Sequence, residues 1–79
     1  MITVRYFAGA REAAGLTTEQ LAGPTSVAAL RGALAEAHPR LGAVLPKCAL
    51  LVAGARTTSD DAEVPDDATV DVLPPFAGG

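Results

Sequence analysis

The sequence predicts a small two-layer α+β domain, a mixed sheet with one main helix packed on one face. Three observations carry that reading. Apolar residues alternate near both ends of the chain, over residues 1–7 and 69–73, the period of a half-buried strand. Between them, Val27, Leu30, Leu34, Ala37 and Leu41 recur at three- and four-residue intervals, one apolar stripe of a helix. The length, 79 residues with 49% hydrophobic side chains, suits one domain with a thin core.

The elements follow in order. In residues 1–7, Ile2, Val4 and Tyr6 share one strand face and Thr3, Arg5 and Phe7 the other. Residues 9–14 favour a short helix, and Gly15 is placed to stop it. Thr17 to Leu21 reads as a second, weaker strand closed by Gly23-Pro24. Ser26 is a good N-cap for the main helix. Gly32 inside that helix costs about 1 kcal/mol relative to Ala. Pro39 disfavours helix at position 38, so regular helix ends near Ala37. Arg40 to Leu45 holds a further short turn, which Pro46 ends. Cys48 to Val52 is a compact apolar run, a central strand, and Ala53-Gly54 turns the chain into a short edge strand at Arg56-Thr57-Thr58. Ser59 to Asp67 is polar and acidic and reads as loop. Thr69 to Leu73 is the last strand. A helix between the second and third strands permits a crossover that sets the first and last strands side by side and parallel. That topology is the β-grasp, over residues 1–73, with an extended tail at 74–79.

Composition excludes several classes. One cysteine, Cys48, leaves no internal disulfide, and Cys48 with His38 cannot supply the four ligands of a structural zinc. The net charge is −3, and no basic patch for nucleic acid is visible. Residues 1–56 carry +3 and residues 57–79 carry −6. The acidic second part reads as a solvated loop, or as an electrostatic guide toward a basic partner surface. No apolar run approaches a membrane span and residues 1–5 lack signal-peptide order, so a cytoplasmic protein is expected.

Catalytic machinery is sparse. His38 stands at a helix C-terminus, where it can serve carbonyls and the helix dipole. Cys48 has no neighbour in sequence to activate it and reads as an inert core thiol. Asp60-Asp61 and Asp66-Asp67 lack a calcium-loop pattern, and no metal is expected. No glycine-rich phosphate loop is present. The chain is not expected to be an enzyme on its own.

The end of the sequence, Pro74-Pro75-Phe76-Ala77-Gly78-Gly79, is the candidate site. Two prolines cannot continue a sheet ladder and favour extended backbone. Phe76 offers one apolar anchor for a partner pocket. Ala77, Gly78 and Gly79 are slim, and six extended residues reach roughly 20 Å. Such a tail could thread a narrow channel and present the Gly79 carboxylate at its bottom. A carboxylate is a poor electrophile and reacts after activation, typically adenylation by ATP.

The chain resembles the small subunit of molybdopterin synthase, a ubiquitin-like sulfur carrier. Three stretches carry the likeness: Phe7-Ala8-Gly9-Ala10-Arg11-Glu12-Ala13-Ala14-Gly15, Ser26-Val27-Ala28-Ala29-Leu30-Arg31, and the tail from Pro74 to Gly79. The chain departs from the family in the turn after the third strand, where members often have Asn and Ala53-Gly54 stands here.

The resemblance implies a sulfur-donating subunit with no bound cofactor. An activating enzyme would spend ATP to adenylate Gly79, and a sulfur donor protein would convert it to a thiocarboxylate. The large synthase subunit, in a heterotetramer, would then take the tail and pass sulfur to the pterin precursor. Pro74, Pro75, Phe76, Ala77 and Gly78 would bind these partners, with Arg11 and Glu12 as further contacts. Sulfur carriage for a cysteine or thiamine pathway, a protein modifier joined to lysines through Gly79, and a noncovalent binding module are the alternatives.

Overall fold

Strand β1 (Ile2–Tyr6) opens the chain in the computed structural model, which describes residues 1–57 and 59–75. Its alternation works as read: Ile2, Val4 and Tyr6 are buried, while Arg5 is exposed on the opposite face. Helix α1 (Ala8–Ala14) follows at once, and extended Phe7 occupies its N-cap position without a side-chain cap. Gly15, at φ 80°, ends α1 in a left-handed conformation and donates its N–H to the Arg11 carbonyl. Strand β2 (Thr18–Leu21) returns antiparallel on β1.

The two-residue strand β3 (Thr25–Ser26) leads into helix α2 (Val27–Ala37). The Ser26 hydroxyl accepts the Ala29 N–H at 3.1 Å, the cap that the sequence predicts. α2 buries Val27, Leu30 and Leu34. The expected stripe ends there, because Ala37 is exposed. Leu41 is fully buried, but from a separate helix, α3 (Pro39–Val44). His38, ahead of Pro39, sits at φ −133° and ψ 85° and breaks the helical path between the two. A 3-10 turn (Leu45–Lys47) then delivers the chain to β4 (Ala49–Val52), so Cys48 lies just ahead of the strand rather than starting it.

Strand β5 (Ala55–Thr57) pairs antiparallel with β4 across the Ala53-Gly54 turn. The acidic stretch after it is not loop throughout. It contains β6 (Glu63–Val64), which pairs with β3 through Thr25↔Val64 and Ser26↔Glu63. Val64 is the reason, since its side chain is wholly buried and the ladder satisfies its neighbouring backbone. Strand β7 (Thr69–Leu73) closes the fold.

The main sheet has the order β2-β1-β7-β4-β5. β1 and β7 are parallel and the other pairs antiparallel, so the sheet is mixed with the first and last strands adjacent. One face packs Ile2, Val4, Tyr6, Leu50, Val70 and Val72 against the helices, where each fully buried large side chain contributes roughly 1.5–3 kcal/mol. This is the ubiquitin-like β-grasp.

Candidate functional site at the tail root

β7 is the middle strand, and its last residue, Leu73, hands the chain to buried Pro74 and exposed Pro75. Pairing reaches Tyr6↔Val72 on one side and Ala49↔Leu73 on the other. Pro74 carries no N–H, so the ladder has no donor to continue with. Phe76, Ala77, Gly78 and Gly79 lie outside the described residues. What the structure fixes is the root from which they extend.

The root borders an open depression of about 540 Å³ lined by Lys47, Cys48, Arg56, Leu73, Pro74 and Pro75, among others. Lys47 comes from the 3-10 turn and Arg56 from β5, and both are exposed. Cys48 is buried, its thiol donating to the Val44 carbonyl at 3.4 Å. Burial pushes that thiol's pKa up, against a smaller opposing effect of the Arg31 charge. The protonated thiol is a weak nucleophile, in keeping with an inert core cysteine. Arg11 and Glu12 sit exposed on α1, which touches β7 and α3. The helix follows the end of β1 that lies beside the tail root, because β1 and β7 run parallel. Neither side chain lines the depression or forms an ion pair among the described residues.

Two further groups emerge that the sequence reading missed. On the outer sheet face, Arg5 grips Asp71 with a two-pronged pair, Nε to Oδ1 at 2.6 Å and Nη2 to Oδ2 at 2.8 Å. The hydrogen bonds and charge of Asp71 raise the Arg5 pKa further. The same guanidinium lies 5.7 Å from the ring centre of Phe7, which is 36% exposed. Half-buried Leu51 and Leu73 stand on this face too, so an apolar strip adjoins the tail root. The available signal was Phe7 itself, a large apolar residue at an outward position of an alternating strand.

On the helix side, the Tyr6 hydroxyl donates to Glu19 Oε1, and His38 Nε2 lies 2.6 Å from the same oxygen. The Tyr6 and His38 rings meet edge to face at 6.1 Å and 83°. His38 therefore serves β2 with its ring, not the α2 carbonyls as expected; its backbone N–H donates to the Leu34 carbonyl instead. The Tyr6 phenol pKa is raised strongly, first by burial and then by Glu19. The separation of Glu19 from His38 along the chain hid this cluster.

At the opposite pole, the Met1 amine lies 2.7 Å from Asp66 Oδ1 and 3.4 Å from Asp67 Oδ1. Those hydrogen bonds raise the amine pKa and lower that of Asp66. Among the described residues, no helix is long and apolar enough to cross a membrane.

The comparisons agree with this architecture. Superposition matches a protein described as molybdopterin converting factor subunit 1 from Pyrococcus furiosus, with TM-score 0.81, 26% identity, and 95% of this chain and 97% of that one covered. The small archaeal modifier protein 1 from Methanosarcina acetivorans matches with TM-score 0.83 and 24% identity over 99% of this chain and 95% of that one. A complex of subunits 1 and 2 of molybdopterin-converting factor from Helicobacter pylori 26695 matches with TM-score 0.76 and 22% identity, over 99% and 97%. No curated protein matches significantly by sequence. The ThiS family profile matches residues 4–79, strands, helices and tail together. With that profile matched across nearly the whole of this β-grasp chain, the chain belongs to the ThiS family.

Proposed function

We propose that this chain is a sulfur carrier that works through the Gly79 carboxylate and serves molybdopterin synthesis. The observation that carries the carrier reading is the family match, which runs through the Pro74–Gly79 segment to residue 79, and the molybdopterin assignment is supported by the likeness to molybdopterin converting factor subunit 1. The fold supports it physically. The tail roots on the middle strand, held on both sides by β1 and β4, so its origin at Leu73-Pro74 is fixed.

The chemistry follows from the carboxylate. An activating enzyme adenylates it, with the carboxylate oxygen attacking the α-phosphorus of ATP and pyrophosphate leaving. A cysteine persulfide on a donor protein then attacks the carbonyl carbon, a C–S bond forms as the C–O bond to AMP breaks, and a second thiol cleaves the resulting acyl disulfide, leaving the donor cysteine in a disulfide with that thiol. The resulting thiocarboxylate delivers its sulfur to the pterin precursor inside the large subunit. The carrier itself needs no bound cofactor and acts as the non-catalytic subunit. Phe76 and the slim Ala77-Gly78-Gly79 run occupy the partner's channel, while Phe7, Leu51 and Leu73 dock against its outer surface. Arg11 and Glu12, on the helix beside the root, contact the same partner's rim. These steps take place in the cytoplasm.

The second reading is a protein modifier, favoured by the fold likeness to the small archaeal modifier protein. A lysine amine then attacks the same adenylate and forms an isopeptide bond. Intact-mass spectrometry after incubation with ATP, a sulfur donor and the cognate activating enzyme separates the two. Replacement of one oxygen by sulfur in the full chain, absent when Gly79 is deleted, supports the carrier. Mass gain on protein lysines alone supports the modifier, and no change with an active enzyme refutes both. Adding the large subunit and pterin precursor tests molybdopterin synthesis against thiamine or cysteine pathways.

A further inference from the structure

The net charge of the chain is negative, yet the surface around the tail root is not. Lys47 and Arg56 flank the depression that contains Pro74 and Pro75, both exposed and without an ion pair among the described residues. Asp71, one strand beyond Leu51 from Arg56, is already held by Arg5. Asp66 and Asp67 precede β7 and bind the Met1 amine, at the far end of the strand whose other end is the root. Five strand residues separate these poles, roughly 17 Å. Asp66 and Asp67 therefore lie away from the tail root, while Asp60 pairs with Arg31 at 3.9 Å and shares a neighbouring depression with Arg56.

We propose that Lys47 and Arg56 form a cationic collar that docks on a carboxylate-rich rim at the mouth of the tail-receiving channel of the activating partner. A collar at the base of a threaded tail meets that rim only when the tail is fully inserted, so charge and tail report the same docked geometry. The opposed acidic pole orients the chain during approach, because a like-charged rim repels Asp66 and Asp67 while it attracts the root. The identity of the partner rests on the sulfur-carrier reading; the acid-binding surface does not.

The first test is independent of that reading. Titration of the full chain with hexaglutamate, followed by amide NMR, should shift residues 47–49, 55–57 and Leu73, and K47E/R56E should abolish those shifts. Shifts centred on Arg11 or Arg40 instead, or none, would overturn the collar. The second test measures adenylation by the activating enzyme. K47E/R56E should raise the apparent KM for the chain by about tenfold with kcat near wild type, and the wild-type KM should rise with salt. K47A/R56A should show a smaller rise, and R40E, outside the depression, should match wild type. Unfolding midpoints confirm that each variant folds. If wild type is processed and K47E/R56E equals it, the collar is wrong and the carrier reading stands. If hexaglutamate binds at the collar while wild type is never adenylated, the carrier reading fails and the acid-binding surface stands.

Discussion

Glu19 is placed between two donors, the Tyr6 hydroxyl and the His38 ring, and through them it ties β2 to β1 and to the α2–α3 corner. Tyr6→Phe removes one donor while leaving ring packing intact. The expected loss is about 1–2 kcal/mol at neutral pH, read by urea denaturation. The linkage sign is definite. Burial raises the folded phenol's pKa above its ordinary value near 10, so the neutral phenol's contribution is complete below that pH. It is lost as pH climbs above the ordinary value, because the unfolded chain then releases a proton the folded one keeps. The stability gap between wild type and Tyr6→Phe should therefore shrink above pH 10. The sequence contains one tyrosine, so tyrosinate absorbance reports this residue alone. Cys48 gives a second expectation: alkylation should be far slower in the native chain than in urea, since burial both covers the thiol and raises its pKa. Labelling at the unfolded rate in native buffer would contradict its placement.

Individual elements differ in how openly the sequence announced them. β1, β7 and α2 were legible because period and cap agreed: alternation in the strands, and Ser26 ahead of the Val27–Leu34 stripe. The β3–β6 pair was not, since two-residue strands carry no period and Val64 is a lone apolar side chain among acids. The stripe ran past its true end because Leu41 falls on the right spacing by way of a second helix. The β4–β5 turn shows what the departure from the family's Asn does. Ala53 and Gly54 both have positive φ, 51° and 84°, and an alanine there pays a steric cost that Asn and Gly largely avoid. Ala53→Asn should stabilise the protein by about 0.5–1 kcal/mol, visible as a raised unfolding midpoint. A lower midpoint would show that the Ala53 methyl contributes more than its backbone strain costs.

At the scale of the whole molecule, element order pointed to an α+β fold and permitted the crossover that sets the first and last strands side by side, while the β-grasp topology itself was a step beyond order and period. The candidate tail was read from Pro74-Pro75 and Gly78-Gly79, local features that need no tertiary contact to be seen, and residues 76–79 of it lie outside the described residues. The charge distribution was not legible, because sequence order places the acids before the tail while the fold places Asp66 and Asp67 at the other pole. Removing Gly78 and Gly79 should therefore leave the thermal midpoint within about 1 °C of wild type, as expected for residues beyond the last ladder pair, while abolishing adenylation. The parallel pairing of β1 with β7 has one more consequence. Met1 leaves one end of this pair and Pro74 the other, so tension between the termini pulls the two strands in opposite directions along their length. The hydrogen bonds from Thr3 through Phe7 are then strained together in shear rather than peeled apart singly. A machine that grips the tail and pulls against an anchored N-terminus therefore loads these bonds together.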